Sequence, residues 1–266
     1  MINQAQLNLL SKKYKINESI VAREFVQITF LKELYEEGFS RDIYFKGGTA
    51  IRLLYGGQRF SEDLDFTVQV DEVLFVKFIN KFFRKIENQY PFTFKERKTI
   101  TGKTFLLTAD AQSLKNPIFV KLDFSMRENV LEPTKNILET EYPVIVQSFI
   151  NSLSKNELLA EKIRAILRRE KHRDIYDLWI LLELGAKFDM DLIQNKLKYY
   201  GEDFKMNSLI SRLKDFSKDE FIKDLRPFVP INEREKLGVL FEYVKTYLEK
   251  LFSSVTPRGV EPRLPG

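Results

Sequence analysis

The sequence predicts an α+β fold in two parts, an α/β domain over residues 1–150 and an all-helical domain over 151–252, with a disordered tail over 253–266. Three observations carry this. Strand alternation and helical periodicity mix up to about residue 150, and only helical periodicity follows. The 266 residues include 23 Phe and 11 Tyr, enough for a sizeable core in one large or two modest domains. The terminal SSVTPRGVEPRLPG holds three prolines, two glycines and two arginines with little to bury.

The elements follow in order. Over 18–37, Ile20, Val21, Ala22, Phe25, Val26, Phe30, Leu31 and Leu34 recur at three- and four-residue steps. That spells a helix with Asn17 as N-cap and Gly38 as stop. Asp42-Ile43-Tyr44-Phe45 is a short strand, broken by Gly47-Gly48, and Thr49 caps a helix to about Tyr55. Residues 60–70 alternate, with Leu64, Phe66, Val68 and Val70 on one face and Asp63, Asp65 and Thr67 on the other. Residues 72–88 read as helix, and 92–99, 103–109 and 117–125 as strands, with a further short strand, YPVIV, over 142–146. Helices are expected at 154–170, 174–185, 190–199, 205–214, 217–224 and 232–252.

Composition excludes several chemistries. The chain has no cysteine, so it has no disulfide, thiol nucleophile or thiolate metal site. Its one histidine, His172, excludes an HExxH zinc site, argues against a Ser-His-Asp triad, and reads as a surface or capping residue. A metal here must be held by oxygen, which points to magnesium, manganese or calcium. The N-terminus lacks an apolar run with a cleavage site, and no stretch approaches the roughly 18 apolar residues of a membrane span. The expectation is a cytoplasmic protein with no membrane partner. The net charge of +5 and pI near 9.1 favour an anionic partner only mildly.

The chemistry concentrates in FKGGTAIRLLYGGQRFSEDLDFTV, residues 45–68. Asp63 and Asp65 at i and i+2 of a strand point to one side and can grip one cation. Asp123, on one face of the strand Phe119–Phe124, is the candidate third carboxylate. Gly47-Gly48 lets backbone amides approach a phosphate, the helix that follows offers its N-terminus, and the Thr49 hydroxyl can add a bond. One segment thus supplies a phosphate clamp and the next a site for Mg2+ or Mn2+ carrying an NTP. A second cluster, LLAEKIRAILRREKHRDIYDLWILL over 158–182, puts Lys162 mid-helix and Asp174 and Asp177 three apart on one helical face.

The order strand, GG[ST], helix, DxD resembles the nucleotidyltransferase superfamily with the DNA polymerase β-like core. "FKGGTAIRLLYGGQRFSEDLDF" more closely resembles the AbiEii/AbiGii toxin family, similar to the MenT toxins, of bacterial abortive-infection and toxin–antitoxin systems. The family's lysine helix and RDxxD helix match Lys162 and Arg173-Asp174-Ile175-Tyr176-Asp177. The resemblance implies an N-terminal nucleotidyltransferase core with a mixed sheet. It implies that Lys162 contacts the triphosphate and that Asp174 lies at the active site as a candidate base. Asp177 would orient Lys162 or hold its helix. The implied reaction moves NMP from an NTP to a hydroxyl, with tRNA or another RNA as acceptor and a cognate antitoxin as partner. Two alternatives stay open: a nucleotide-binding regulatory protein without transfer, and a small-molecule nucleotidyltransferase.

Overall fold

The computed structural model describes residues 2–99, 101–110, 114 and 116–254. The chain divides into two compact units, Met1–Leu153 and Ser154–Gly266.

The first unit opens with helices α1 (Gln4–Tyr14) and α2 (Glu18–Glu36). The sequence reading has no α1; its short apolar set is Leu7 and Leu10, and a capping box between Asn3 and Gln6 starts it. Asn17 caps α2 by accepting from the Ser19 amide. Then come β1 (Ile43–Lys46), α3 (Gly47–Tyr55), β2 (Leu64–Val68), α4 (Glu72–Gln89) and β3 (Phe92–Arg97). They are followed by β4 (Lys103–Ala109), β5 (Ile118–Ser125), β6 (Pro133–Asn136) and β7 (Ile150–Leu153).

These strands make one mixed seven-stranded sheet in the order β3-β4-β5-β2-β1-β7-β6. β2 pairs in parallel with β5, and β1 with β7; the other pairs are antiparallel. Register gives the sheet two unlike faces, because paired residues share a face. One face carries Phe45, Phe66 and Phe124 in adjacent register, with Leu64, Leu122 and Phe105. Phe30 from α2 and Phe75 from α4 pack onto it, and the Phe66 and Phe124 rings stack at 4.8 Å. The other face carries Lys46, Asp65, Asp123 and Thr104 in a row across four strands.

Three expectations change. Residues 142–146 form no strand: Pro143 has no amide to give, Val144 donates back to the Tyr142 carbonyl at 2.7 Å, and Ile145 is 76% exposed. The sheet edge is built instead by the short strands β6 and β7. The alternating run of 60–70 narrows to Leu64–Val68, so Asp63 stands just before β2, and Thr67 is buried rather than on an open polar face. Thr49 does not cap α3, which begins two residues earlier.

The second unit is helical: α5 (Lys155–Arg168), α6 (Arg173–Glu183), α7 (Met190–Lys198), α8 (Met206–Asp215), α9 (Lys218–Leu225) and α10 (Leu237–Ser254). Lys196 of α7 is wholly buried, paired with Glu157 and 3.3 Å from Glu161, both on α5. Of the tail expected over 253–266, Ser253 and Ser254 finish α10, and the remainder lies outside the described residues.

Phe66 is fully buried between Phe45, Phe30 and Phe124. Phe66→Ala is expected to lower the unfolding free energy by about 3–5 kcal/mol, read as a shifted urea midpoint. A shift of under about 1 kcal/mol would contradict this account of the core.

Candidate active site

The chain leaves β1 at Lys46 and turns at Gly47 with φ +81°, a backbone conformation that favours glycine. A Cβ at Gly47 would overlap the Asp65 carboxylate, and one at Gly48 would overlap the Arg59 guanidinium. The glycines therefore admit two charged side chains against the first turn of α3. The N-cap residue Lys46 gives that turn no side-chain cap, and a carboxylate beside it sits favourably in the field of the helix N-terminus. The Thr49 hydroxyl donates to the Asp63 carbonyl, tying the helix to the chain just before β2.

The loop between α3 and β2 is held by α2. Gln27 donates to the carbonyls of Ser61 and Glu62 at 3.2 and 2.9 Å, and Arg23 pairs with Glu62 at 3.4 Å. Arg52 of α3 lies 2.9 Å from Glu24, with its guanidinium over the Phe60 ring. Asp63 is delivered from this anchored loop.

Asp65 and Asp123 are direct register partners on the parallel pair β2 and β5. Asp123 accepts from Lys121 at 2.8 Å and from Thr104 at 3.3 Å. Burial would lower the Lys121 pKa, but its bond to Asp123 and the charges of Asp123, Asp63 and Asp65 outweigh that and raise it. The three carboxylates thus act on one ammonium. On the far side of Asp65, Lys46 forms a buried ion pair with Glu128 from the segment after β5. Gly47, Gly48, Thr49, Asp63, Asp65 and Asp123 therefore gather at one end of β2. Among the described residues, no three His, Asp or Glu side chains converge into a metal cage by themselves.

In the helical unit, Lys162 is buried between Asp174 at 2.8 Å and Asp177 at 2.6 Å. Arg169, half-exposed, also binds Asp174 at 2.8 Å. Two cations and two carboxylates form a neutral quartet on α5, α6 and the link between them. Burial pushes the Asp174 pKa up, but the Lys162 charge and the Arg169 hydrogen bond and charge outweigh it and hold it well below the usual carboxylate range. His172 is buried rather than on the surface, and it makes no side-chain cap. Its Nε2 accepts from the Ser217 amide at 3.1 Å, fixing the start of α9.

From sequence, Arg169, Lys121, Lys46 and Arg59 carry no assigned role. Arg59 and Lys121 had signals, as cations in the Gly-to-Asp loop and two before Asp123. Lys46 and Arg169 take their places from β-register and from the turn after α5.

The mixed seven-stranded sheet with its helices is a nucleotidyltransferase-like fold. The fold is similar to that of MenT4, the nucleotidyltransferase toxin Rv2826c of Mycobacterium tuberculosis, with a TM-score of 0.63, 18% identity, and 97% and 95% of the two chains covered. The chain belongs to the AbiEii family, nucleotidyl transferase toxins of type IV toxin–antitoxin systems, whose profile matches residues 29–252. It is 25% identical over 224 residues to an uncharacterized protein of Aquifex aeolicus, aq_aa25, across 82% of this chain and 94% of that one. JHP933 of Helicobacter pylori is also similar, with a TM-score of 0.48, 23% identity, and 90% and 97% of the chains covered.

Gly47→Ala is expected to destabilise by about 1–2 kcal/mol from the positive φ alone, before any cost of displacing Asp65. Chemical denaturation checks this; an unchanged midpoint would refute the packing of Gly47 on Asp65.

Two pH limbs are expected. His172 has a pKa lowered by burial, against the opposing charges of Asp224, Glu170 and Glu220. Its contribution is whole above the unfolded value of about 6.5 and is lost as pH falls through the lower folded value. Asp174 is also lowered, so its contribution is whole above about 3.9 and fades only at more acid pH. Denaturation at pH 7.5, 5 and 3 should resolve both limbs, and His172→Gln should flatten only the upper one.

Proposed function

We propose that this protein transfers NMP from an NTP to a hydroxyl of an RNA acceptor such as tRNA, acting in the cytoplasm as a toxin held in check by a cognate antitoxin. The observation that carries the reading is the register pairing of Asp65 with Asp123 beside the uncapped first turn of α3. Among the described residues, no helix is long and apolar enough to cross a membrane.

The donor set fits Mg2+ or Mn2+. Its atoms are all carboxylate oxygens, and magnesium uses one or two carboxylates plus substrate phosphates rather than an all-protein cage. Asp63 and Asp65 would hold it, with Asp123, now engaged by Lys121 and Thr104, as the third ligand. A bound cation would offset phosphate charge and activate the acceptor hydroxyl. Gly47, Gly48 and Thr49 at the start of α3 would seat the phosphates on backbone amides.

For Lys162 and Asp174 the ion pairs favour positioning roles over the family-derived ones. Asp174, held well below the usual carboxylate range between two cations, is a poor general base near neutral pH. We assign it, with Asp177, to positioning Lys162. Half-exposed Arg169 is the quartet member best able to meet a phosphate.

The test incubates the protein with each α-labelled NTP, Mg2+ and total cellular RNA, beside Asp63→Ala/Asp65→Ala. Label on RNA that requires both aspartates is the expected result. Label on a small molecule or on protein would replace the acceptor. NTP binding without pyrophosphate release would make the protein a nucleotide-binding regulator instead. The double variant should remain folded, checked by its melting curve, so that lost label reads as lost chemistry.

A further inference from the structure

The helical unit contains a cleft of about 510 Å³ lined by Asp219, Ile222, Lys223, Arg226, Pro227 and Arg234. That is the size range of small-ligand sites, about 300–1,000 Å³. Asp219, Ile222, Lys223 and Arg226 follow i, i+3, i+4 and i+7, so α9 and its continuation turn one face to the cleft. Arg234 comes from the segment after the turn. Three cations oppose one carboxylate there.

The cations are held to different degrees. The Arg226 side chain makes no hydrogen bond or ion pair among the described residues, and it is exposed, while its amide caps α9 by donating to the Ile222 carbonyl. Arg234 spends its Nε on the Val229 carbonyl at 3.4 Å, leaving its terminal nitrogens. Lys223 lies 3.2 Å from Glu220. Two guanidiniums with open donors, in a cleft also lined by Ile222 and Pro227, suit phosphodiester oxygens with ribose against apolar surface.

The cleft is tied to the motif helix. Arg173, the first residue of α6, lies over the Phe228 ring at 4.7 Å and 4.0 Å from Asp224. Its amide also donates to Asp224. The next residue is Asp174, so an anion in this cleft is placed relative to the Lys162 quartet through one turn of α6.

We propose that this cleft is a docking site for backbone phosphates of the RNA acceptor, with Arg226 and Arg234 as the phosphate contacts. This rests on the RNA reading above. An acidic protein, including an antitoxin, is the competing occupant. RNA is favoured because the open guanidinium donors share the cleft with apolar Ile222 and Pro227, which suits phosphates carried on ribose.

The experiment uses the full-length protein with Arg226→Gln/Arg234→Gln beside wild type. Binding of end-labelled total bacterial tRNA is followed by fluorescence anisotropy from 50 to 200 mM salt, and transfer by label incorporation. Expected are RNA affinity at least tenfold weaker, a salt slope smaller by roughly two, a raised KM for RNA with kcat and NTP binding kept, and an unchanged melting temperature. If wild type binds and labels RNA and the variant does so equally, with the same slope, the docking site is wrong and the RNA reading stands. If wild type neither binds nor labels RNA, the RNA reading falls and the docking site with it. If the variant keeps RNA but loses binding of an acidic protein, the proposal is also overturned. Arg226→Gln alone, at an exposed and unpaired side chain, serves if the double variant misfolds; it should lower the slope by about one.

Discussion

Asp65 and Asp123 stand directly opposite each other on parallel strands, and the repulsion between them is the constraint on which the first unit depends. Like charges in register destabilise a sheet. The surroundings answer on every side: Lys121 and Thr104 bind Asp123, the uncapped first turn of α3 faces Asp65, and Lys46 flanks the row in a pair with Glu128. The opposite face of the same strands is a wall of stacked phenylalanines, so β2 and β5 cannot slip by one residue without burying the aspartates and exposing Phe66 and Phe124. The apolar face thus holds the carboxylates in register at the cost of their repulsion.

The second unit solves the reverse problem. Lys162 is a cation buried where water cannot solvate it, and two carboxylates and Arg169 restore neutrality. A buried pair survives only when each charge has a partner. The same logic recurs at Lys196, enclosed with Glu157 and Glu161. Each cluster has a guanidinium at its edge: Arg169 on Asp174 is half-exposed, and Arg164 on Glu161 is mostly covered.

Much of this was legible in the chain. The α+β organisation, α2, α4, β4 and most of the helical unit follow from periodicity strong enough to survive tertiary context. Asp63 and Asp65 can be named from sequence because carboxylates at i and i+2 are a local pattern, and Asp123 because it falls on one face of an alternating strand. What could not be read depends on pairing at a distance. Lys46 and Thr104 join the row only through register with β2 and β5. YPVIV has strand composition, yet Pro143 and an exposed Ile145 leave it outside the sheet, whereas INSL, with one polar pair, supplies β7. His172 had a sequence reading for its position but none for its partner, Ser217, 45 residues on.

The glycine pair shows how one feature serves two ends. Read in the sequence, Gly47-Gly48 lets a phosphate approach amides. Packed in the fold, it admits Asp65 and Arg59 to the same turn. These are compatible, because the N-terminus of α3 attracts any anion. A carboxylate already occupies part of that field, so a triphosphate arriving there would meet Asp65 as a like charge. Two anions can share a helix N-terminus only with positive charge between them. Arg59, buried against Gly48, contributes some from within the fold. In the proposed reading the rest would arrive with the nucleotide, which gives a physical reason for a glycine turn and a DxD strand to share one site.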